Sequence, residues 1–313
     1  MTFVEGPVTV TVPATSANLG PGFDSLGLAL DLRDTLVGEV QDTGLVVEVE
    51  GAGADDVPRD ESHLVVRSMR AAFEALGTQP TGLRLTCHNV IPHARGMGSS
   101  SAAIVGGIVL ARALVVDGVA RLDDDAAFRL AAAIEGHPDN VAPALYGGFT
   151  ISGHETGPDD ATDDAGAFYT ICSPVSAAIS TVVFIPPTGV ETKVARGLLP
   201  ATVPHADAAA DAGRTALLVA ALAGRPDQLL RATRDYLHQD YRRPAMPESL
   251  ALVDALRADG VPAIVSGAGP TVLAFAVSEG GGSRAVESLL ARTPEGWTSH
   301  ALDVDLSGAR VVE

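Results

Sequence analysis

The sequence predicts an α+β protein with two domains, because strand and helix patterns are mixed in both halves of a chain of 313 residues. The residues are 46% hydrophobic, which is enough for a sizeable core and excludes a mainly disordered protein. Aromatic residues make up only 4%, so we expect a core of Val, Leu, Ile and Ala. A stretch rich in Asp, Gly and Thr at 153–167 predicts a loop near the domain boundary, with domains over 1–152 and 153–313.

The first domain is predicted to begin with three strands, over 8–12, 26–32 and 45–49. Apolar residues at helical spacing predict a helix over 62–76, with Ser62 as its N-cap. A fourth strand over 83–90 leads to Pro92, and an apolar helix follows over 101–116. A helix over 123–135 begins with three acidic residues, where the helix dipole favours them, and Gly136 ends it.

The second domain is predicted to start with a strand over 171–185. Three helical patterns follow, and the chain then returns to strands on either side of the turn Ser266-Gly267-Ala268-Gly269-Pro270 within 261–277. The glycines at 280–282 precede a final helix and strand. The three helices are predicted over 206–223, 226–239 and 247–259.

The charge of the chain limits its partners. A formal net charge of −18 argues against nucleic acid or an anionic membrane as the main partner, because both are polyanions. Lys193 is the only lysine in the sequence. A phosphate site would therefore have to use helix termini, backbone N–H groups, arginines and a metal ion.

No part of the sequence indicates secretion or membrane insertion. The first residues lack the basic and apolar regions of a signal peptide, and the most apolar stretch, 102–116, is too short to span a bilayer and contains Arg112. Cys87 and Cys172 lie far apart without metal-ligand spacing, so we expect two buried hydrophobic residues and not a disulfide or zinc site. A cytoplasmic location is expected.

A glycine–serine loop between a predicted strand and a predicted helix is the first candidate site. Glycines let the backbone approach a phosphate, the N–H groups of the first helical turn point at it, and a serine hydroxyl can bind magnesium. The loop has no Gly-Lys-Ser/Thr sequence, so it is not a Walker A loop. The candidate ATP-binding residues are Pro92, His93, Ala94, Arg95, Gly96, Met97, Gly98, Ser99, Ser100, Ser101 and Ala102.

Two further segments are richer in functional groups than a core requires. PATSANLGPGFD, residues 13–24, combines turn-forming glycines and prolines with polar side chains, which suits a loop that shapes a pocket. EGHPDN, residues 135–140, places four functional side chains within six residues at the end of a predicted helix.

Together these segments resemble the small-molecule kinase superfamily that includes galactokinase, homoserine kinase, mevalonate kinase and phosphomevalonate kinase. The loop at 92–102 is similar to the pattern P-x-x-x-G-L-G-S-S-A, with Met97 in place of leucine and Ser101 where alanine is common. The turn at 266–270 resembles the C-terminal glycine motif of the superfamily. PATSANLGPGFD and EGHPDNVAPA are similar to motifs of the homoserine kinase branch.

The resemblance implies that the chain transfers a phosphoryl group from ATP, with Mg²⁺, to the side-chain hydroxyl of L-homoserine, giving O-phospho-L-homoserine for threonine synthesis. It also implies a first domain like that of ribosomal protein S5, a ferredoxin-like second domain, and a homodimer. The residues that match substrate-contacting positions are Asn18, Asp24, His137, Asn140, Thr192, Arg196 and Arg242.

The chemistry of these residues agrees with the implied roles. Asp24 would bind the substrate ammonium, while Arg196 and Arg242 would bind its carboxylate with their planar guanidinium groups. Ser100 and Glu135 match the expected magnesium ligands. Asp139 is a candidate general base, whereas the homoserine kinase pattern implies transfer without a strong base, with Asn140 orienting the hydroxyl.

Some alternatives stay open on the sequence alone. Ser101 competes with Ser100 as a metal ligand, Arg243 competes with Arg242, and Arg95 faces either the phosphates or the solvent. A kinase of the same superfamily acting on mevalonate or a sugar would not need Asp24 with two arginines. A non-catalytic ATP-binding protein would be expected to have lost Asn140, Glu135 or the serines.

Overall fold

The computed structural model describes residues 2–155, 168–277 and 283–312. Its strands are β1 Val8–Ala17, β2 Leu26–Gln41, β3 Gly44–Gly51, β4 Gly82–Asn89, β5 Phe149–His154, β6 Phe168–Ser173, β7 Ile179–Ile185, β8 Ala263–Val265, β9 Val272–Val277, β10 Thr298–Leu302 and β11 Arg310–Val312. Its helices are α1 Leu64–Ala75, α2 Ser99–Ala113, α3 Gly118–Arg121, α4 Asp124–Glu135, α5 Pro138–Tyr146, α6 Thr192–Gly197, α7 His205–Gly224, α8 Leu229–Ala232, α9 Pro247–Ala258 and α10 Ser283–Leu290.

The first sheet has seven strands in the order β11-β1-β2-β4-β3, and β5 joins it by pairing with β2 and β6. All its pairs are antiparallel except β3 with β4. Two of its strands, β6 and β11, come from the chain beyond residue 152. A domain boundary at that point stays a prediction.

Helix α2 lies at the centre of the first domain and begins at the glycine–serine loop. It packs on β1 and against α1, α4 and α5. A Cβ atom at Gly106 would lie 2.5 Å from Leu36 Cδ1, and one at Gly107 would lie 2.7 Å from the carbonyl oxygen of Val65. Both glycines therefore allow the close packing that fixes the position of the helix and of the loop before it.

The second sheet has four antiparallel strands in the order β10-β7-β9-β8. Helices separate β7 from β8 and β9 from β10, which gives the β-α-β-β-α-β order of a ferredoxin-like domain. Val182, Phe184 and Val272 from the sheet pack with Leu250 and Leu256 of α9 in its core. The predicted α+β fold with two domains is confirmed.

Several sequence predictions about single elements are wrong. Ser62 does not cap α1, because its hydroxyl and its N–H both bind Asp60 and the N-cap is His63. The strand predicted over 171–185 is two strands, β6 and β7, in different sheets. In the loop predicted over 153–167, Gly153 and His154 belong to β5, and 156–167 lies outside the described residues.

The helix predicted over 226–239 is limited to a 3₁₀ turn, Pro226–Gln228, and α8. Asp235 stops its continuation, because its carboxylate accepts hydrogen bonds from the N–H groups of Leu237, His238 and Gln239. An aspartate that binds the backbone in this way competes with helix formation. The chain after α8 instead forms a turn that carries His238 and Arg242 towards the first domain.

The two cysteines differ in their environments. Cys87 is buried, and burial raises the pKa of its thiol to about 12, as expected of an inert core residue. Cys172 is exposed on the edge strand β6, so the prediction that it is buried is wrong.

None of the helices in the described part of the chain is long and apolar enough to cross a bilayer. The cytoplasmic location stays a prediction.

Candidate active site

A cavity of about 330 Å³ brings together residues from both halves of the chain. One wall comes from the loop after β1 and from α5, and the facing wall comes from α6, the turn after α8, and the glycine turn at 266–270. The predicted residues that line it are Asn18, Asp24, Ala94, Gly96, Gly98, Ser99, Ser100, Glu135, His137, Asp139, Asn140, Thr192, Arg196 and Arg242.

The five backbone carbonyl groups of residues 94–98 in the glycine–serine loop all accept hydrogen bonds. Ala94 accepts from the N–H of Val190, Arg95 from the N–H of Thr271, and Gly96 from the hydroxyl of Ser266. Met97 accepts from the N–H of Thr15, and Gly98 from the N–H of Ala102. The N–H groups of 96–101 donate to none of the described residues. They are therefore available to an anion at the start of α2.

Two glycines of this loop have left-handed backbone geometry, with φ of 75° at Gly96 and 71° at Gly98. A Cβ atom at Gly96 would lie 2.3 Å from the carbonyl oxygen of Ser266, and one at Gly98 would lie 1.9 Å from Thr15 Oγ1. The loop thus requires glycine at both positions, for conformation and for space.

We expect Gly98→Ala to lower the free energy of unfolding by about 1–3 kcal/mol and to weaken ATP binding, because Thr15 must move away from the new methyl group. Gly260→Ala is the matched control, since Gly260 has φ of 83° with no atom near its missing Cβ. Thermal denaturation and calorimetric ATP titration measure the two effects. Equal ATP affinity in both variants would contradict the role of the loop.

Ser100, Ser101 and Glu135 form one hydrogen-bonded group. Ser100 Oγ donates to Glu135 Oε2 at 2.9 Å, and Ser101 Oγ donates to Glu135 Oε1 at 2.9 Å. Ser101 is fully buried, whereas Ser100 is exposed and lines the cavity. Of the two serines, Ser100 lines the cavity, while Ser101 is buried and holds the carboxylate of Glu135.

The start of α5 places Asn140 and Asp139 beside this group. Asn140 Oδ1 accepts a 2.7 Å hydrogen bond from Thr15 Oγ1, which leaves the amide N–H groups of Asn140 free to donate. Asp139 Oδ1 lies 2.7 Å from His137 Nδ1. Burial opposes the charged form of His137, but the hydrogen bond and charge of Asp139 and the charge of Glu135 outweigh it, so the pKa of His137 is raised.

Asp24 and Arg196 form a two-pronged ion pair across the cavity. Arg196 Nη2 lies 2.6 Å from Asp24 Oδ1, and Nη1 lies 3.1 Å from Oδ2. The guanidinium also lies over the ring of Phe23, 5.5 Å from its centroid. The two groups predicted to bind the substrate ammonium and carboxylate thus bind each other in this structure.

Arg242 and Arg243 have opposite environments. Arg243 is at the surface and pairs with Asp240 and Asp254. Arg242 is 1% exposed, lines the cavity, and has no carboxylate within ion-pair distance among the described residues. Its Nε is buried without a hydrogen-bond partner. Burial, and then the charge of Arg196, lower the pKa of Arg242 to about 10, so it stays cationic at neutral pH.

Other predicted residues contribute mainly to the walls. The Asn18 side chain donates to the Gly267 carbonyl and accepts from the Asp24 N–H, so it joins the two halves of the cavity. Thr192 starts α6, and Lys193 is exposed beside it. The Arg95 guanidinium binds the carbonyl groups of Pro186, Pro187 and His93, so only the backbone of Arg95 belongs to the loop.

Sequence reasoning missed four residues of the site. Thr15 orients Asn140, Phe23 stacks with the arginines, Glu191 lines the cavity beside Thr192, and His238 contacts Arg242. Thr15 and Phe23 lie inside the segment 13–24, whose composition indicated a pocket. Nothing in the sequence distinguishes Glu191 or His238 from ordinary polar residues.

A second cavity of about 290 Å³ adjoins the first, and Ser99 and Ser100 line both. Its wall is largely apolar, with Val12, Leu36 and Val65 among its residues. None of the described residues that line it is an arginine or a lysine. Burial lowers the pKa of both of its histidines, His63 and His93, and so favours their neutral forms.

Met97, one of the predicted ATP-binding residues, has its side chain in the hydrophobic core and lines neither cavity.

Asp34 is a buried carboxyl group in the wall of the second cavity. Burial raises its pKa from 3.8 to about 6, although its Oδ1 accepts hydrogen bonds from the N–H groups of Ile91 and Val90. The pKa of Asp34 is thus higher in the folded protein than in the unfolded chain. The contribution of its protonated carboxyl group to stability is complete below pH 3.8 and is lost as the pH rises through about 6.

We therefore expect Asp34→Asn to raise the free energy of unfolding by about 3 kcal/mol at pH 8, because asparagine keeps the accepting oxygen without the buried charge. At pH 5 the gain should fall to about half. Urea denaturation at both pH values measures it. Asp31→Asn, at an exposed position of the same strand, should change little, and a gain at Asp34 independent of pH would contradict the assignment.

Two family models match the chain. The model described as the N-terminal domain of GHMP kinases matches residues 63–148, and the model of the C-terminal region of GHMP kinases matches residues 217–294. The first match includes the glycine–serine loop and the start of α5, and the second includes Arg242 and the turn at 266–270.

Relatives that match nearly the whole chain carry one name. Homoserine kinases of Streptomyces avermitilis and Streptomyces coelicolor are each 54% identical over 310 residues, which are 99% of this chain and 97% and 96% of theirs. The crystal structure of homoserine kinase from Cytophaga hutchinsonii has a TM-score of 0.83 at 25% identity, covering 100% of this chain and 99% of that one. The structure of L. major mevalonate kinase shares the fold, with a TM-score of 0.68 at 15% identity, covering 98% of this chain and 99% of that one.

Proposed function

The chain belongs to the homoserine kinases of the GHMP kinase family, and on this premise we propose that its first cavity binds L-homoserine and receives the terminal phosphates of ATP. The reaction transfers a phosphoryl group from ATP to the side-chain hydroxyl of homoserine and gives O-phospho-L-homoserine, a step of threonine biosynthesis. The chain is a kinase, and the residue roles below are our proposal.

The observation that carries the substrate assignment is the buried guanidinium of Arg242. A buried cation without a carboxylate partner is costly, and an anion that enters the cavity relieves that cost. The α-carboxylate of an amino acid is such an anion, and a guanidinium binds it with two parallel hydrogen bonds. A sugar or another neutral alcohol would leave Arg242 unpaired.

The Asp24–Arg196 pair completes the recognition of a zwitterion. Homoserine carries an ammonium and a carboxylate on the same carbon, so it can exchange with the pair, its ammonium on Asp24 and its carboxylate shared by Arg196 and Arg242. The charges of the cavity and the substrate then remain balanced, which avoids the desolvation penalty of an unpaired ion. Glu191 and Thr192 line the same side of the cavity.

ATP is proposed to lie across both cavities. Its phosphates would bind the free N–H groups of 96–101 in the first cavity, and its nucleoside would occupy the second. The lining there is largely apolar and has no arginine or lysine among the described residues, which suits a base and not a phosphate. Ser99 and Ser100, shared by the two cavities, mark the junction.

Kinase activity with ATP requires a divalent metal ion, and we propose that it is Mg²⁺. The hydroxyl of Ser100 and the carboxylate of Glu135 are the oxygen ligands that Mg²⁺ prefers, and they lie 2.9 Å apart at the cavity. The described residues contain no cluster of three or more His, Cys, Asp or Glu for a metal, which fits an ion held by one carboxylate and the substrate phosphates. When bound, the ion neutralises charge on the phosphate oxygens.

The attacking hydroxyl is proposed to be oriented by Asn140. Its amide N–H would donate to the hydroxyl oxygen, since its carbonyl is held by Thr15. Asp139 is the nearest candidate base. Its hydrogen bond with His137 would allow the imidazole to share a proton that Asp139 accepts. Positioning and charge neutralisation supply most of the catalysis in phosphoryl transfer, so a strong base is not required.

A coupled assay of ADP release tests the proposal. Purified protein with ATP and Mg²⁺ is supplied with homoserine, threonine, mevalonate or galactose in separate reactions. We expect homoserine to stimulate ADP release far above the others. No stimulation by homoserine, or greater stimulation by mevalonate or galactose, would sink the proposed substrate.

The homodimer is proposed on family resemblance alone. Light scattering coupled to gel filtration measures the mass in solution, and a single peak at 31.9 kDa, the mass of one chain, would contradict the homodimer.

A further inference from the structure

His238 is completely buried, with Arg242 on one side and the loop after β1 on the other. Its Nε2 is 2.7 Å from the carbonyl oxygen of Gly20, and its Nδ1 is 3.0 Å from Nη1 of Arg242. Its ring lies 5.2 Å from that of Phe23, which also packs against the guanidinium of Arg242 at 5.6 Å. The imidazole therefore joins the loop after β1 to the arginine.

The two partners determine where the imidazole carries its proton. A guanidinium only donates hydrogen bonds, so Nδ1 of His238 must accept from Arg242. A carbonyl oxygen only accepts, so Nε2 must carry the hydrogen that it donates to Gly20. Both bonds exist together only in the neutral ring with its proton on Nε2.

This arrangement also determines which edge of Arg242 faces a ligand. Nη1 uses its two N–H groups on His238 Nδ1 and on the carbonyl oxygen of Gly267, 3.1 Å away. The N–H groups of Nε and Nη2 make no hydrogen bond to any described residue, and a guanidinium binds a carboxylate in a bidentate manner through such a pair.

We propose that His238 is a positioning residue for substrate recognition, whose neutral ring holds Arg242 with its Nε and Nη2 groups towards the carboxylate of homoserine. The inference rests on the proposed substrate site. His238 does not contact the substrate itself and acts only through Arg242.

Homoserine binding should therefore be sensitive to acid. Protonation of His238 would put an N–H on Nδ1 against the Nη1 group of Arg242, which removes the hydrogen bond and sets two cations side by side. Burial and the charge of Arg242 lower the pKa of His238, while Asp235, 3.6 Å away, Gly20 and Asp24 act in the opposite direction. The other titratable groups that share a cavity wall with His238 are Asp207, Arg234, Tyr236, Asp240 and Tyr241.

Two variants separate the two hydrogen bonds of the ring. In H238N the amide oxygen lies near the former Nδ1 and can still accept from Arg242, whereas in H238Q the amide nitrogen lies near the former Nε2 and can bind only Gly20. We expect H238Q to raise the KM for homoserine by about 10- to 100-fold and H238N to raise it by about threefold or less. Neither should change the KM for ATP by more than about twofold.

The pH profile provides the second readout. Because burial lowers the pKa of His238 below its ordinary value of 6.5, the KM for homoserine in the wild-type enzyme should rise only as the pH falls below that value. This rise should be reduced in H238N, whose amide does not titrate. His137 is present in both proteins, so the difference between their pH profiles reports on His238 alone. Equal KM values in the two variants, a parallel rise in the KM for ATP, or identical pH profiles in H238N and wild type would overturn the proposal.

A proton-correlated ¹⁵N spectrum of the histidine rings tests the tautomer without any activity. The His238 signal, assigned by its absence in H238N, should show a proton on Nε2 alone at pH 7.5. A proton on Nδ1 would overturn the proposal. An enzyme that proved inactive on homoserine would contradict the proposed function instead, while the tautomer would still be measured.

Discussion

Replacing Arg242 with glutamine should lower kcat/KM for homoserine by about 100- to 1,000-fold, mainly through a higher KM. The substrate carboxylate loses a desolvated cation, and breaking such a charge pair costs about 2–5 kcal/mol. The KM for ATP should stay within about twofold of the wild-type value, because Arg242 does not line the second cavity, where the nucleoside is proposed to bind, and the phosphates are proposed to bind backbone N–H groups. Steady-state kinetics with each substrate varied in turn measures both constants.

Arg243→Gln is the matched control for this variant. Arg243 is the next residue in the chain, has the same side chain, and pairs with surface aspartates outside the cavity. Its replacement should change kcat/KM for homoserine by less than about threefold, since surface ion pairs contribute about 0–1 kcal/mol. Equal losses in the two variants would mean that Arg242 does not bind the substrate.

Replacing Glu135 with glutamine should lower kcat by at least about 100-fold and raise the Mg²⁺ concentration needed for half-maximal rate. The amide keeps the size of the side chain and can still accept a hydrogen bond from one serine, but it lacks the charge that a metal ion needs. Rates measured over a range of Mg²⁺ concentrations at saturating ATP separate the metal effect from a general loss of folding.

The two serines beside Glu135 provide a graded comparison. Ser100→Ala removes a hydroxyl that lines the cavity and should follow Glu135→Gln in its Mg²⁺ dependence. Ser101→Ala removes only the buried hydrogen bond that holds Glu135, and such supporting groups typically contribute about 10- to 100-fold to metal affinity or activity. A larger shift in Ser101→Ala than in Ser100→Ala would exchange the roles of the two residues.

The sequence predicts well those features that depend on neighbouring residues. Helix α4 has Asp123 as its N-cap, whose carboxylate accepts from the N–H of Ala126, and Gly136 as its C-cap in the left-handed conformation, as the local sequence indicates. The glycine–serine loop and α2 likewise follow from glycines beside an apolar stretch. Such signals arise within a few residues and need no knowledge of the fold.

Features that depend on distant contacts could not be predicted in the same way. Whether Arg242 or Arg243 faces the cavity depends on the turn that Asp235 stabilises. Strand β11 enters the first sheet beside β1 by pairing across almost the whole length of the chain. The function of His238 requires Gly20, which is more than 200 residues away in sequence.

The hydrogen bonds that brace the glycine–serine loop also have a consequence for the order of events during synthesis. Three of its carbonyl groups accept from donors that the ribosome adds much later, at Val190, Ser266 and Thr271. A nascent chain that has folded only its first domain therefore carries a loop that lacks three of these five hydrogen bonds. We expect affinity for ATP to arise only once Thr271 has emerged, so the nucleotide cannot help the first domain to fold on its own.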